Sequence, residues 1–172
     1  MAMTRLLLLR HAKAVPQEDA MQDRDRPLAD KGARQMRKLA DWVEERRIAP
    51  DLVLCSPSAR TRQTLALIAP RLEEPETLYE EGLYLADGRS LLQRLRKLPD
   101  GRTNVMVVGH NPGLHELAVL LLQSGAGALA RRLKDGLPTG ALAIFALDGP
   151  WASLDRGAAR LVEFVTPKEL GA

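Results

Sequence analysis

The chain opens with a short unbroken apolar run, Thr4 to Leu9, that stops abruptly at Arg10-His11. Runs of this length without polar alternation suit strands buried on both faces of a parallel sheet. Two more follow: Leu52-Val53-Leu54-Cys55, and Asn104 to Val108, which gives way to Gly109-His110-Asn111-Pro112. Between these runs the apolar period becomes helical. Ala33, Met36, Leu39, Ala40 and Val43 mark one helix, with Asp30 placed to cap it. A second opens at Ser56-Pro57, with Ser56 as cap and Pro57 in the tolerated first turn, and carries Leu65 and Ile68 up to Pro70. Leu91, Leu92, Leu95 and Leu98 mark a third, and Leu114, Leu117, Ala118 and Leu121 a fourth. The polar stretch 12–29, with Pro16 and Pro27, reads as a loop, and the Gly- and Ala-rich stretch 123–138 as a loose connection. A short strand is predicted at Thr77 to Tyr79. Two longer ones, Ala141 to Leu147 and Ala158 to Val165, are joined through Asp148-Gly149-Pro150. This alternation predicts a doubly wound α/β fold, a mostly parallel sheet flanked by helices with antiparallel strands near the C-terminus. No linker or repeat interrupts it, so residues 1–172 read as a single domain.

Composition narrows the picture. Hydrophobic residues are 45% of the 172 but aromatics only 3%, so the core must be aliphatic. Lys and Arg number 25 against 22 Asp and Glu, a net charge of +3 spread along the chain. Without a concentrated basic face or stacking aromatics, the pI of about 9.3 does not point to nucleic acid. Cys55 stands alone and cannot form an internal disulfide, which suits a reducing compartment. The run Leu6 to Leu9 is too short for a signal-peptide core or a membrane span. The expectation is a soluble cytoplasmic protein with neither nucleic acid nor membrane as partner.

The chemistry gathers at three strand ends. The first ends at Arg10-His11, the second at Ser56 with Arg60 just beyond, and the third at His110. In an open α/β sheet the carboxyl ends of parallel strands share one edge, where ligands bind. Two of the three histidines would therefore converge with at least two arginines. Guanidinium groups grip phosphoryl oxygens in bidentate fashion and stay charged at any working pH. A neutral imidazole is a competent nucleophile toward phosphorus, and a second, protonated imidazole can stabilise charge on the oxygens in transfer. Helices beginning near Pro57 and Pro112 would aim N-terminal dipoles at the same edge. Arginines take the place of a metal in such a site, and no cofactor is expected.

Leu9-Arg10-His11-Ala12 resembles the first signature of the histidine phosphatase, or phosphoglycerate mutase-like, superfamily, in its "RHA" form. Ser56-Pro57-Ser58-Ala59-Arg60-Thr61-Arg62-Gln63-Thr64 resembles the second motif, and Val108-Gly109-His110-Asn111-Pro112 the third, over a likeness that runs from Thr4 to Val165. The resemblance implies His11 as nucleophile, Arg10 and Arg60 as phosphate-holding arginines, and His110 as the second histidine. Within the superfamily the likeness is to short SixA-type phosphohistidine phosphatases, whose Asp-x-x-Arg-Pro-Leu element is matched by Asp23-Arg24-Asp25-Arg26-Pro27-Leu28. That makes Arg26 a further oxyanion ligand or substrate clamp. The mutases carry a Glu that Glu81 would match as proton donor, whereas SixA-type members dispense with a well-placed acid.

Larger superfamily members build a cap between the second and third motifs, and residues 65–104 leave little chain for one. The site should be open, which favours a phosphohistidine displayed on a partner protein over a small phosphate ester that needs enclosure. Both remain expectations, beside a phosphate-binding module without turnover. The blander readings make His115 and Arg62 structural or surface residues, Cys55 a buried small residue, and Trp42 and Tyr84 packing residues. Asp23 pairs with Arg26 to fix its loop, and Arg131-Arg132 with Lys134 is a solvated basic run, or a docking patch for an acidic partner.

Overall fold

A computed structural model describes residues 3–124 and 127–172. Its strands are β1 (Thr4–Arg10), β2 (Leu52–Cys55), β3 (Glu76–Tyr79), β4 (Asn104–Gly109), β5 (Leu142–Leu147) and β6 (Ala159–Val165). The helices are α1 (Asp30–Glu45), α2 (Ala59–Ile68), α3 (Gly88–Arg96), α4 (Gly113–Leu121) and α5 (Ala128–Asp135). The strands form one six-stranded sheet in the order β3-β2-β4-β1-β5-β6. The first four run parallel, and β5 and β6 are antiparallel additions at one edge.

Because side chains alternate across a strand, each apolar run supplies both faces of the sheet. Leu7 and Leu9 of β1, Val53 and Cys55 of β2 and Met106 and Val108 of β4 pack with Met36, Leu39 and Val43 of α1 and Leu65 and Ile68 of α2. Leu6, Leu8, Leu52, Leu54, Val105 and Val107 face the other way, against Leu91, Leu92 and Leu95 of α3 and Leu114, Leu117 and Leu121 of α4. The antiparallel strands extend both cores, with Phe145 in the second and Ile144 in the first. Burial on both faces explains why these strands lack polar alternation.

Register places the functional edge. Arg10 pairs with Gly109, and Cys55 with Val108, so β2, β4 and β1 finish together as three adjacent strands. His11, Ser56 and His110 are each the first residue beyond a strand on that edge.

Three local expectations change. Helix α2 begins two residues later than its proline suggested, capped by Ser58, whose hydroxyl accepts from Thr61 N, and Ser56 is free for another partner. Helix α1 is preceded by Ala29 in the cap position without a side-chain cap, and Asp30 lies in the first turn, where its charge favours the helix dipole. The stretch read as a loose connection contains α5, which buries Ala130 and Leu133. Its period was masked by small residues and by its length of only 8 residues. Residues 125 and 126 of that stretch lie outside those described.

Gly32 fixes α1 close to the segment leaving β1. A Cβ there would fall 2.2 Å from Lys13 O, the carbonyl that also accepts from Ala29 N. Replacing a helical glycine by alanine ordinarily gains up to about 1 kcal/mol. Here Gly32→Ala should instead lose roughly 1–3 kcal/mol through overpacking against backbone, measured as a lower urea midpoint with unchanged m-value.

Candidate active site

A cavity of about 450 Å³ opens at the carboxyl edge of the sheet, lined by Arg10, His11, Lys13, Asp23, Arg26, Arg60, His110 and Asn111 among others. The two imidazole rings stand 5.4 Å apart, centroid to centroid. Four cationic side chains face the cavity and Asp23 is the one acidic residue among those lining it. That balance suits a dianion.

Hydrogen bonding settles the tautomer of each histidine. His11 Nδ1 lies 2.7 Å from Ala12 O, and a carbonyl only accepts, so Nδ1 carries the proton. Neutral His11 therefore has its lone pair on Nε2. Thr64 holds this turn in place, its hydroxyl accepting from Ala12 N at 2.9 Å while donating to Arg60 O at 2.7 Å. His110 has the opposite tautomer. Arg60 Nη2 lies 3.3 Å from His110 Nδ1 and a guanidinium cannot accept, so Nδ1 takes the bond and Nε2–H donates to Ser56 Oγ at 2.7 Å. Burial, opposed by the bond to Ala12 and reinforced by Arg60, Arg10 and Arg26, lowers the His11 pKa to about 4. Burial, then Arg60, lowers that of His110 to about 3. Both histidines are therefore neutral near pH 7, and the protonated second histidine expected from the sequence is a state for phosphoryl transfer.

Arg60 is 2% exposed and the most constrained group of the site. Its Nη1 donates to Asp23 O at 2.8 Å and its Nη2 to Asp23 Oδ2 at 3.0 Å. Arg26 donates from Nε to Asp23 Oδ1 at 3.0 Å and from Nη1 to Val15 O at 2.9 Å, which ties the 12–29 loop to the same carboxylate. Tyr84 completes the set, its hydroxyl donating to Asp23 Oδ2 and its ring meeting His110 edge-on at 5.4 Å. With donors from Tyr84, Arg60 and Arg26, the Asp23 carboxyl falls to about 2 and stays ionised. In Arg10 and Arg60 alike, Nε is buried without an acceptor among the described residues. Arg10 differs in the rest: Nη1 donates to Leu137 O at 3.0 Å, and no carboxylate pairs with it among the described residues. Such an uncompensated cation is a ready ligand for an anion.

With that geometry in view, the kinship of the chain follows. A family model of the histidine phosphatase superfamily (branch 1) matches residues 6–84. The SixA protein of Agrobacterium tumefaciens, a proposed phosphohistidine phosphatase, is 31% identical, with 95% of this chain and 98% of that one covered at a TM-score of 0.82. The chain belongs to the histidine phosphatase superfamily. A second such SixA protein, from Nakamurella multipartitia, is 28% identical with a TM-score of 0.84, covering 97% of this chain and 98% of that one. An uncharacterised protein of Mycobacterium tuberculosis is 36% identical over 162 residues, 93% of this chain and 100% of its own.

In this histidine phosphatase, Arg10, His11, Arg26, Arg60 and His110 all line the one cavity. Glu81 does not. It lies on the outer surface, paired with Arg24 at 2.9 Å, its side chain 72% exposed. Sequence reasoning passed over Ser56 as a hydrogen-bond partner, Thr64 as a brace and Tyr84 as part of the site, and it gave Asp23 only its pairing with Arg26. The one available signal for Asp23 was its place three residues before Arg26. Arg62 stays outside the cavity lining, stacked over Tyr79 at 4.2 Å and donating to Pro57 O at 2.9 Å. His115 ties α4 to α5 by donating to Leu133 O at 2.6 Å. Cys55 is fully buried, which pushes its thiol up to about 12. Among the described residues, no group of three His, Cys, Asp or Glu side chains is placed to hold a metal ion, and no helix is long and apolar enough to cross a membrane.

Both histidines titrate lower in the folded protein than near 6.5, where they titrate when unfolded, so the unfolded chain binds more protons between about 6.5 and 4. The stability associated with their neutral state is complete above about 6.5 and declines as pH falls toward 4. Urea midpoints should therefore drop from pH 7 to pH 4.5, and His110→Gln should shallow that slope. Loss of Asp23's contribution comes lower, as pH falls through its folded value of about 2. An equal slope in the variant would assign the acid sensitivity to other groups.

Proposed function

We propose that this phosphatase works through a phosphoryl group carried on His11 and that its substrate is phosphohistidine on a partner protein. The observation that carries the substrate reading is the state of the single acid lining the cavity. Asp23 is ionised and saturated with donors, so the cavity lining offers no carboxyl proton for an alkoxide leaving group. Phosphohistidine needs little such help, because its leaving imidazole is a good leaving group that takes up its own proton. The likeness to SixA proteins proposed as phosphohistidine phosphatases supports the same reading.

The proposed reaction has two displacements. His11 Nε2 attacks phosphorus, the substrate's P–N bond breaks, and its electron pair returns to the leaving ring, whose other nitrogen has taken a proton from water, so that neutral imidazole departs. Water then attacks the phosphoryl group on His11, releasing inorganic phosphate and restoring the imidazole. Arg10, Arg26 and Arg60 hold the oxygens throughout. A bound dianion opposes the burial and the arginine field that lower the pKa of His110; when Arg60 Nη2 turns from the ring to a phosphoryl oxygen, His110 takes up a proton at Nδ1 and donates it to the phosphoryl group. The Ser56 bond keeps the ring oriented for that change.

Brief mixing with labelled substrate and an alkaline quench should trap a phosphoryl group that acid removes, as expected for an N–P bond. The label should map to His11 and vanish in His11→Gln. A label on Ser56 or His110 instead would overturn the role of His11. Specificity constants across a phosphohistidine protein, phosphoramidate and common phosphate esters test the substrate. A higher value for an ester would shift the reading to small metabolites, and binding without turnover would make the site a recognition module.

Arg60→Lys should cost about a hundredfold in kcat, since an ammonium cannot reproduce the planar fork that holds Asp23 while reaching the phosphoryl group. A loss of only a few-fold would remove Arg60 from direct contact with the reacting group.

A further inference from the structure

A second, larger hollow of about 1220 Å³ adjoins the phosphate cavity, sharing Arg10, Asn111 and Thr139 with it. It runs between the start of α1, helix α5 and the turn that follows β6. The site described above uses little of it. A phosphoryl group needs only the smaller cavity, so whatever the phosphate is attached to has this groove beside it.

Its polar groups suggest what fits. Lys31 and Lys168 line the groove and neither forms an ion pair or side-chain hydrogen bond among the described residues. Arg132 and Glu169, by contrast, neutralise each other across it, and Thr166 donates to the same Glu169 at 3.0 Å. Asp135 and the terminal carboxylate of Ala172 remain as opposing charges, against Lys31, Lys168 and Arg10, which has no carboxylate partner among the described residues. The unpaired charge is thus mostly positive. In the wall, Gln35 is 7% exposed and its Oε1 has no donor among the described residues, and Asn111 Oδ1 is likewise buried without one. The Asn111 amide is held by its Nδ2 donating to Leu137 O at 2.9 Å, whereas Gln35 makes no side-chain hydrogen bond among the described residues and is a suitable acceptor for a backbone N–H of a docked polypeptide. Leu137, Pro138 and Phe164 add apolar lining. A small ester leaving group would leave most of this volume unfilled.

We propose that this groove seats the polypeptide segment flanking the phosphohistidine of the partner protein, and that it favours a segment carrying carboxylates. The proposal rests on the reading of phosphohistidine protein as substrate and adds where the protein binds and what charge it bears. Lys31 and Lys168 make the electrostatic contribution, while the apolar wall and Gln35 grip the chain without regard to its sequence. Arg131 and Lys134 lie on α5, the helix that walls the groove, outside its lining, and add positive charge at its margin, while Arg132 is neutralised by Glu169.

The test compares two synthetic peptides of equal length, each with one phosphohistidine, flanked in one case by glutamates and in the other by glutamines. The wild-type chain should favour the glutamate peptide about fivefold to tenfold in kcat/KM at low salt, the scale of a few partly exposed ion pairs, and less at high salt. The double variant Lys31→Glu, Lys168→Glu should abolish or invert that preference, chiefly through KM. Its turnover of phosphoramidate, which has no flanking chain, should stay within about twofold of wild type, reporting an intact fold and phosphate cavity. Equal hydrolysis of both peptides by the wild-type chain, or a preference that survives the charge reversal, would overturn the groove while leaving the phosphohistidine reading in place. Hydrolysis of phosphate esters with neither peptide turned over would overturn both.

Discussion

A guanidinium cannot shed its charge at working pH, so holding Arg60 at 2% exposure obliges the fold to bring acceptors to its two terminal nitrogens. Those acceptors come from distant parts of the chain. Asp23 supplies a backbone and a side-chain oxygen from the long loop after β1, and His110 supplies a ring nitrogen from the end of β4. Much of the rest of the site follows from this requirement. The contact from Arg60 assigns the tautomer of His110, which gives Ser56 a proton to accept. The carboxylate that neutralises Arg60 also collects Arg26 and Tyr84, so one buried charge organises the loop, the second histidine and the tyrosine together.

The arrangement is costly as well as ordered. Arg10 and Arg60 repel each other across the cavity, and the Arg10 guanidinium has its pKa lowered first by burial and then by Arg60. Burial and the same cations keep both histidines neutral. A bound dianion would offset these repulsions together, so a site assembled at the expense of stability is poised to bind an anion. The surrounding sheet can bear the cost because β1, β2 and β4 are buried on both faces in two aliphatic cores.

A short chain between the second and third motifs leaves the cavity open to a larger groove rather than roofed over. Openness and the ionised Asp23 bear on the same point from different directions. The first concerns what can approach, and the second concerns which bond can break without an acid. Both support the proposed substrate, a phosphohistidine displayed on a protein.

The sequence by itself determined the parallel sheet, most of its helices and the meeting of Arg10, His11, Arg60 and His110. Unbroken apolar runs report burial on both faces, and residues just beyond such runs must share an edge whatever the loops between them do. It could not determine that Ser58 rather than Ser56 caps α2, since the two stand two residues apart in similar settings. Nor could it find α5, where small residues blur a brief period. The neutral state of the histidines, the central place of Asp23, the inclusion of Tyr84 and the exclusion of Glu81 were decided by tertiary structure alone. Protonation depends on burial and on the charges that face a group, and a side chain's partner depends on where two loops cross. Neither is a property of local pattern; both exist only once the chain has closed around the site.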